Sequence, residues 1–274
     1  MNILGQLTVL PDIPERTARL GELANNLYWT WRPDARRLFR HLDPVLWEKV
    51  GHSPTEMLRD ISQEKLSAAS ANPTYLALYD EVIGDFDGYL KRQRSWFSER
   101  SSGKPDDVYA YFCMEYGWHE AVALYSGGLG VLAGDHTKAA SDLGVPLVAV
   151  GPWFPEGYFH QRVAQSGEQE AFYERLSPSE MPFTPVKREG AEVRVSVTLQ
   201  GRDVQLRAWR LAVGTVSVFL LDTDVPENSP EDRGLLARLY GGDQRTRIAQ
   251  EIILGVGGVR LLRALGVNPT SWHM

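Results

Sequence analysis

Residues 108–151 read VYAYFCMEYGWHEAVALYSGGLGVLAGDHTKAASDLGVPLVAVG. Two apolar runs, residues 108–113 and 146–150, are predicted strands, and a glycine turn followed by a helix lies between them. Gly127, Gly128 and Gly130 carry no Cβ and tolerate positive φ, so the backbone there can come close to a ligand. The helix is expected from about Val131, with Leu132, Ala139 and Leu143 on its apolar side. Gly144, with Pro146 two residues on, is its stop signal. A glycine turn feeding a helix N-terminus offers unpaired N–H groups and the positive end of the helix dipole to an anion, and phosphate is the expected guest.

Alone, such a turn is more often a packing device than a phosphate cradle, so its neighbours decide. Met114-Glu115-Tyr116-Gly117 precedes it, and the turn itself runs Tyr125-Ser126-Gly127-Gly128-Leu129-Gly130-Val131-Leu132-Ala133-Gly134-Asp135-His136. Ser141-Asp142-Leu143-Gly144 and Gly157-Tyr158-Phe159 follow. Together these segments resemble the N-terminal domain of the glycogen and α-glucan (maltodextrin) phosphorylases, the short bacterial and archaeal type most of all. The fold this resemblance implies is α/β: the Rossmann-like N-terminal half of a two-domain, GT-B-type glycosyltransferase fold. An all-helical N-terminal segment and an antiparallel strand meander complete it.

Composition limits what the resemblance can mean. A chain of 274 residues, 43% hydrophobic, can bury one sizeable core and a satellite. A net charge of −6 argues against nucleic acid or an anionic membrane as partner. No apolar run approaches the roughly 20 residues of a membrane span, and residues 1–16 lack the basic start of a signal peptide, so the cytoplasm is the expected compartment. The single cysteine, Cys113, sits in an apolar strand and reads as an inert buried thiol. The six histidines show no Cys or paired-His ligand spacing, so no metal site is expected.

Residues 12–98 read as helices. Asp12 with Glu15 has the spacing of a capping box, and Leu20, Leu23, Leu27 and Trp31 trace one apolar stripe. Asp43-Pro44, Ser53-Pro54 and Asn72-Pro73 are further start signals. The last opens a longer helix with Leu76, Tyr79, Ile83, Phe86 and Leu90 on one side. Trp29, Trp31 and Trp47 could stack on sugars, but at helical spacing they read as core. A polar break over residues 98–107 is the expected linker between a helical segment, 1–100, and the α/β domain, 108–274.

Farther on, residues 192–222 alternate with period two, and Gly201 and Gly214 fall where turns are needed, so three antiparallel strands are predicted. The segment Leu239-Tyr240-Gly241-Gly242-Asp243, with its continuation to Glu251, again resembles the phosphorylases, where this loop lies at the mouth of the active site. Asp243 is the predicted N-cap of a helix reaching about Leu265, with Ile248, Ile252, Val259 and Leu262 buried. Gly255, Gly257 and Gly258 each cost about 1 kcal/mol inside a helix relative to alanine, so close packing on a strand is expected there. Residues 269–274 read as a last strand.

The resemblance implies phosphorolysis of terminal α-1,4-glucosidic bonds, giving glucose 1-phosphate from an α-glucan and inorganic phosphate. It covers nearly all of this chain but only the first third of the family's length, so a fragment inactive on its own is expected. The implied cofactor is pyridoxal phosphate, whose anchoring lysine lies beyond this chain, and a homo-oligomer is left open for the full-length enzyme. The implied phosphate- and sugar-binding residues are Gly127, Gly128, Leu129 and Gly130, with Glu115 either on the cleft wall or capping the next turn. Tyr240 and Asp243 fall at the active-site mouth, and no catalytic residue is assigned within the chain. Family members commonly carry an arginine before Gly-Tyr-Phe; here Pro155-Glu156 precedes Gly157, which removes one expected anion contact. Two other classes stand beside this one. A glycogen synthase-like nucleotide-sugar glucosyltransferase typically has a lysine before its glycine turn, where this chain has Ser126. The other is a non-catalytic glucan-binding module.

Overall fold

A computed structural model describes residues 10–100, 102–104 and 106–274. Residues 1–9, and Ser101 and Pro105 of the predicted linker, lie outside the described residues. The chain divides into two compact units that meet between Lys91 and Arg92.

The first unit is helical: α1 (Leu20–Ala24), α2 (Pro33–Leu42), α3 (Pro44–Lys49), α4 (Pro54–Asp60), α5 (Gln63–Ala71) and α6 (Pro73–Lys91). Short side-chain caps punctuate it. Asp43 accepts from the N–H groups of Val45 and Leu46, Ser53 from Glu56, and Asn72 from Thr74 and Tyr75. The expected capping box does not form. The first turn, Glu15–Thr17, starts at Pro14 without a side-chain cap, while the Asp12 backbone is held at both ends by the Gln63 amide. Nor is the leucine stripe one helix: Asn26 caps Tyr28 and starts a 3₁₀ segment, Leu27–Trp31. Trp29 and Trp47 are buried against each other and Phe39, as core residues.

Asp43 is nearly fully buried and also receives the Lys65 ammonium, which with the Leu46 and Val45 N–H groups holds its carboxyl below the usual carboxylate range. Asp43→Ala is therefore expected to cost about 1–2 kcal/mol at neutral pH, the usual loss for an N-cap. A depressed carboxylate stabilises fully above its unfolded pKa and loses that contribution as pH falls through the folded value. The difference between variant and wild type should thus close below about pH 4, as urea unfolding across pH would read.

The second unit begins with α7 (Trp96–Arg100) and β1 (Tyr109–Phe112). A hairpin follows, β2 (Tyr116–His119) with β3 (Val122–Leu124), then α8 (Gly128–Leu143) and β4 (Leu147–Pro152). Two small hairpins, β5 (His160–Val163) with β6 (Gln169–Phe172) and β8 (Lys187–Arg188) with β9 (Ala191–Glu192), flank β7 (Phe183–Pro185). The meander is β10 (Val195–Leu199), β11 (Arg202–Val213) and β12 (Val216–Asp222), turning at Gly201 and Gly214, both at positive φ. Then come α9 (Pro230–Arg233), α10 (Gln244–Ile252), α11 (Gly258–Ala264) and β13 (Ser271–His273).

The main sheet runs β10-β11-β12-β4-β1-β13, with β7 also pairing β11. β12, β4, β1 and β13 are mutually parallel, and the meander extends the same sheet in antiparallel fashion. Helices cover both faces of the parallel part, because successive strand residues point to opposite sides. Tyr111 packs against His136 of α8, with ring centroids 4.8 Å apart. Its neighbour Phe112 lies so close to Gly258 that a Cβ there would come within 2.4 Å of the ring. The chain winds from β1 to β4 and β12 on one side and returns to β13 on the other, so the winding direction reverses at β1. Open α/β sheets bind ligands outside the carboxyl ends of the strands at such a point.

Four features of this unit differ from expectation. A hairpin, β2–β3, is inserted between β1 and the turn, and α8 starts at Gly128, three residues early. The face of α8 is also inverted: Leu132 is 63% exposed, and the buried positions are Gly130, Ala133, Gly134, Thr137, Ala140 and Ser141. Only small residues fit, since β2 passes too close for larger ones. Finally, the long C-terminal helix contains a π-helical segment, Ile253–Gly257. Its extra residue per turn shifts the phase, so Ile248 is exposed while Ile253, Leu261 and Leu262 are buried. Gly257 packs on Leu206 and Gly258 on Phe112 and Val150, the strand packing expected of them, whereas Gly255 departs from that expectation: a Cβ there would meet nothing within 4 Å.

Candidate functional site

The turn at residues 126–130 is held at the carboxyl end of β1 by one buried carboxylate. Glu115, 3% exposed, accepts through Oε2 from the Ser126 N–H at 2.7 Å, the Ser126 hydroxyl at 3.3 Å and the Gly127 N–H at 3.3 Å. Its Oε1 accepts from the Tyr240 hydroxyl at 2.6 Å. Of its two predicted roles, capping is therefore the one the geometry displays. Tyr116 fixes the hairpin beside it, its hydroxyl donating to the carbonyls of Tyr111 in β1 and Val150 in β4.

With Glu115 taking the N–H groups of Ser126 and Gly127, the next two donors are those of Gly128 and Leu129. They belong to the first helical turn, whose N–H groups have no partner inside the helix. Gly127, Gly128 and Leu129 are exposed. A Cβ at Gly127 or Gly128 would meet nothing within 4 Å. Neither glycine is at positive φ, and Gly127 is extended at φ −161°. Their freedom is thus not used for an unusual conformation or for packing; it leaves the start of α8 open. Gly130 differs: its Cβ would lie 2.5 Å from Tyr125 Cβ and 2.8 Å from Glu115 Oε2, so this glycine makes room for the carboxylate.

The structure brings Tyr240 to the turn but not Asp243. The Asp243 carboxylate caps α10, accepting from the Thr246 N–H and hydroxyl, which holds its pKa below the usual carboxylate range. Burial first, and the Glu115 hydrogen bond second, push the Tyr240 hydroxyl well above the ordinary tyrosine range, so it remains a donor. Arg247 lies over the Tyr240 ring, 4.8 Å from its centroid. Ser126 and Arg247 carry no motif of their own in the sequence and become visible only through Glu115 and Tyr240. Glu156, standing where an arginine is common, pairs with Arg238 at 2.5 Å and Arg175 at 3.5 Å. Lys138 of α8 is half-buried, and its ammonium donates to the Trp118 carbonyl at 2.6 Å.

A separate apolar cleft of about 430 Å³ lies by the sheet edge, lined among others by Trp96, Tyr111, His136, Trp272 and His273. It contains none of the predicted site residues. Among the described residues no group of three or more His, Cys, Asp or Glu could hold a metal ion, and no helix is long and apolar enough to cross a membrane.

A mixed α/β sheet with a glycine turn and a helix N-terminus beyond the ends of its parallel strands, at the reversal of winding, defines the class as an open α/β fold. Within it, the chain is a homologue of the maltodextrin and glycogen phosphorylases over nearly all of its own length. It is 41% identical over 263 residues to the maltodextrin phosphorylase of Thermococcus litoralis, covering 96% of this chain and 31% of that protein. To the glycogen phosphorylase of Mycobacterium tuberculosis it is 42% identical over 273 residues, with the same shares, 96% and 31%. To that of Aquifex aeolicus it is 37% identical over 256 residues, 93% of this chain and 36% of that one. The chain thus spans about a third of the length of these relatives. Residues 13–122 also match a family described as a protein of unknown function, DUF3417.

Proposed function

We propose that this chain supplies the main-chain half of the phosphate and sugar site of an α-glucan phosphorylase. In this reading residues 1–100 form a helical N-terminal segment and residues 108–274 the Rossmann-like half of a GT-B-type fold. The reaction is phosphorolysis: a phosphate oxygen bonds to C1 of the terminal glucose, the C1–O4 bond breaks, and the departing O4 takes a proton. The observation that carries the proposal is the open space around Gly127 and Gly128 at the start of α8, where no hydrogen bond among the described residues takes the N–H groups of Gly128 and Leu129. They would donate to phosphate oxygens with the helix dipole behind them, while Glu115 fixes the turn. The phosphorylase names of the relatives favour this over a nucleotide-sugar glucosyltransferase.

Pyridoxal phosphate, the cofactor the family implies, does not fit the residues of this chain. An aldehyde cofactor needs a desolvated lysine beside its pocket. Of the six lysines, Lys49, Lys65, Lys91, Lys104 and Lys187 are exposed, and Lys138 is spent on the Trp118 carbonyl. No step is therefore assigned through the cofactor here. Titrating the ¹⁵N-labelled chain with inorganic phosphate is expected to shift the Gly128 and Leu129 amides first. Shifts spread over surface arginines instead would remove the site. Incubation with pyridoxal phosphate and borohydride is expected to label no lysine stoichiometrically and to yield no glucose 1-phosphate from glycogen. One fully labelled lysine with turnover would contradict this.

A further inference from the structure

We infer that Tyr240 is a positioning residue that latches the loop at residues 239–243 to the glycine turn through Glu115. Both ends of the latch show that it is built in. At one end Glu115 is almost wholly buried, and each of its oxygens is engaged: Oε2 by the turn and, among the described residues, Oε1 by the Tyr240 hydroxyl. Removing that hydroxyl leaves a buried acceptor without its donor, a change far more costly than losing an exposed hydrogen bond. At the other end the loop is held in a conformation it would not adopt freely. Tyr240 sits at φ 56°, in the left-handed region that non-glycine residues avoid, and Gly242 follows at φ 79°. Such a conformation persists where its surroundings over-determine it. Three fastenings surround it: the Leu239 N–H donates to the Gly157 carbonyl at 2.9 Å, the Gly241 N–H to the Arg238 carbonyl at 3.3 Å, and Arg247 covers the ring.

The carboxylate thus bridges the glycine turn, which carries the donors of Gly128 and Leu129, and the start of α10, with Tyr240 lying 125 residues from Glu115. With the loop latched, the Ser126 and Gly127 N–H groups are fixed, and the donors of Gly128 and Leu129 that follow are aimed. With the latch open, Glu115 is free to turn away and the aim is lost. That the aimed donors take phosphate rests on the function proposed above, but the latch itself does not.

The test is amide hydrogen exchange by NMR on this chain and on Tyr240→Phe, which keeps the ring under Arg247 and deletes only the hydroxyl. The expected result is at least tenfold faster exchange at Ser126 and Gly127, with Val150 and Leu220 unchanged. In a Glu115→Gln background the Tyr240→Phe effect should fall to about twofold or less, since the path through the carboxylate is already altered. Unchanged exchange at Ser126 and Gly127, or the same acceleration in both backgrounds, overturns the inference. Should Tyr240→Phe loosen the core as well, the latch is read from its other end: Glu115→Gln alone must speed exchange at Gly241, and no change there overturns it equally. If inorganic phosphate fails to move the Gly128 and Leu129 amides of the wild type while these exchange results hold, the phosphate reading falls and the latch stands.

Discussion

Gly134→Ala is expected to lower the melting temperature by roughly 5–10 °C, although alanine is the better helix former by about 1 kcal/mol. Gly134 lies inside α8, where propensity by itself predicts stabilisation. The sign is decided by what a Cβ would meet: the Gly117 carbonyl oxygen at 2.3 Å and its carbon at 2.6 Å, with the Trp118 nitrogen at 3.1 Å. All three are backbone atoms of β2, which cannot rotate aside as a side chain would. The helix cannot retreat cheaply either. Trp118 Nε1 donates to the Thr137 hydroxyl at 2.8 Å, that hydroxyl donates to the Gly134 carbonyl at 2.8 Å, and Lys138 is tied to the Trp118 carbonyl. Overpacking of this kind costs about 1–3 kcal/mol or more, and backbone against backbone falls at the upper end. After the propensity gain about 2–3 kcal/mol of loss remains, and a chain of this size loses roughly 2–4 °C per kcal/mol. Gly84→Ala and Gly88→Ala in α6, where a Cβ meets nothing within 4 Å, serve as controls and should raise the melting temperature slightly. Differential scanning calorimetry on the three variants checks this; a Gly134→Ala chain as stable as wild type would show that α8 does not need its close approach to β2.

The same helix shows where reading residues in order succeeds and where it stops. The period-two runs of β10, β11 and β12, and the caps at Asp43, Ser53 and Asn72, are local: each depends on residues within a few positions, so spacing reports them directly. The stop at Gly144, at φ 69°, is equally local. The buried face of α8 is not. Leu132 and Leu143 look like its core stripe, yet the glycines, alanines and hydroxyls face inward because β2 crosses at backbone distance. The hairpin causing this did leave a trace. Tyr116, Trp118, Val122 and Leu124 are all buried at alternate positions, but the connecting Glu120-Ala121 lacks the glycine or asparagine that usually marks a hairpin. For the candidate site, the glycines and Glu115 are legible as residues, whereas their division of labour is not. Which N–H groups Glu115 consumes, and that Tyr240 completes its shell, depends on a contact across 125 positions. The π-helical segment likewise changes the phase of the last helix without a residue type that announces it.

The division of labour makes a sharper prediction about the donors themselves. Gly128 is the first helical residue after the Gly127 cap, the one position in a helix where proline is favoured, because its missing N–H has no helical partner there and its φ is already suitable. The preceding Gly127 is extended, outside the helical region that a following proline disfavours, and a Cβ at Gly128 would meet nothing within 4 Å. Gly128→Pro should therefore leave the melting temperature unchanged or slightly higher, since it also restricts the unfolded chain. What it removes is one N–H aimed at the anion. A hydrogen bond to a charged group contributes about 1.5–3 kcal/mol, and this one faces water, so the lower end applies: inorganic phosphate is expected to bind about tenfold more weakly. Leu129→Ala is the matching control, because it removes an exposed side chain while keeping its own N–H, and it should bind phosphate as wild type does. Titrations at fixed low ionic strength, followed by the amide of residue 129, compare the three chains on one probe. Equal phosphate affinity in wild type and Gly128→Pro would mean that the open turn is not the anion site. A drop of several degrees in its melting temperature would mean instead that the glycine is required by the fold, and the distinction drawn between Gly128 and Gly130 would fail with it.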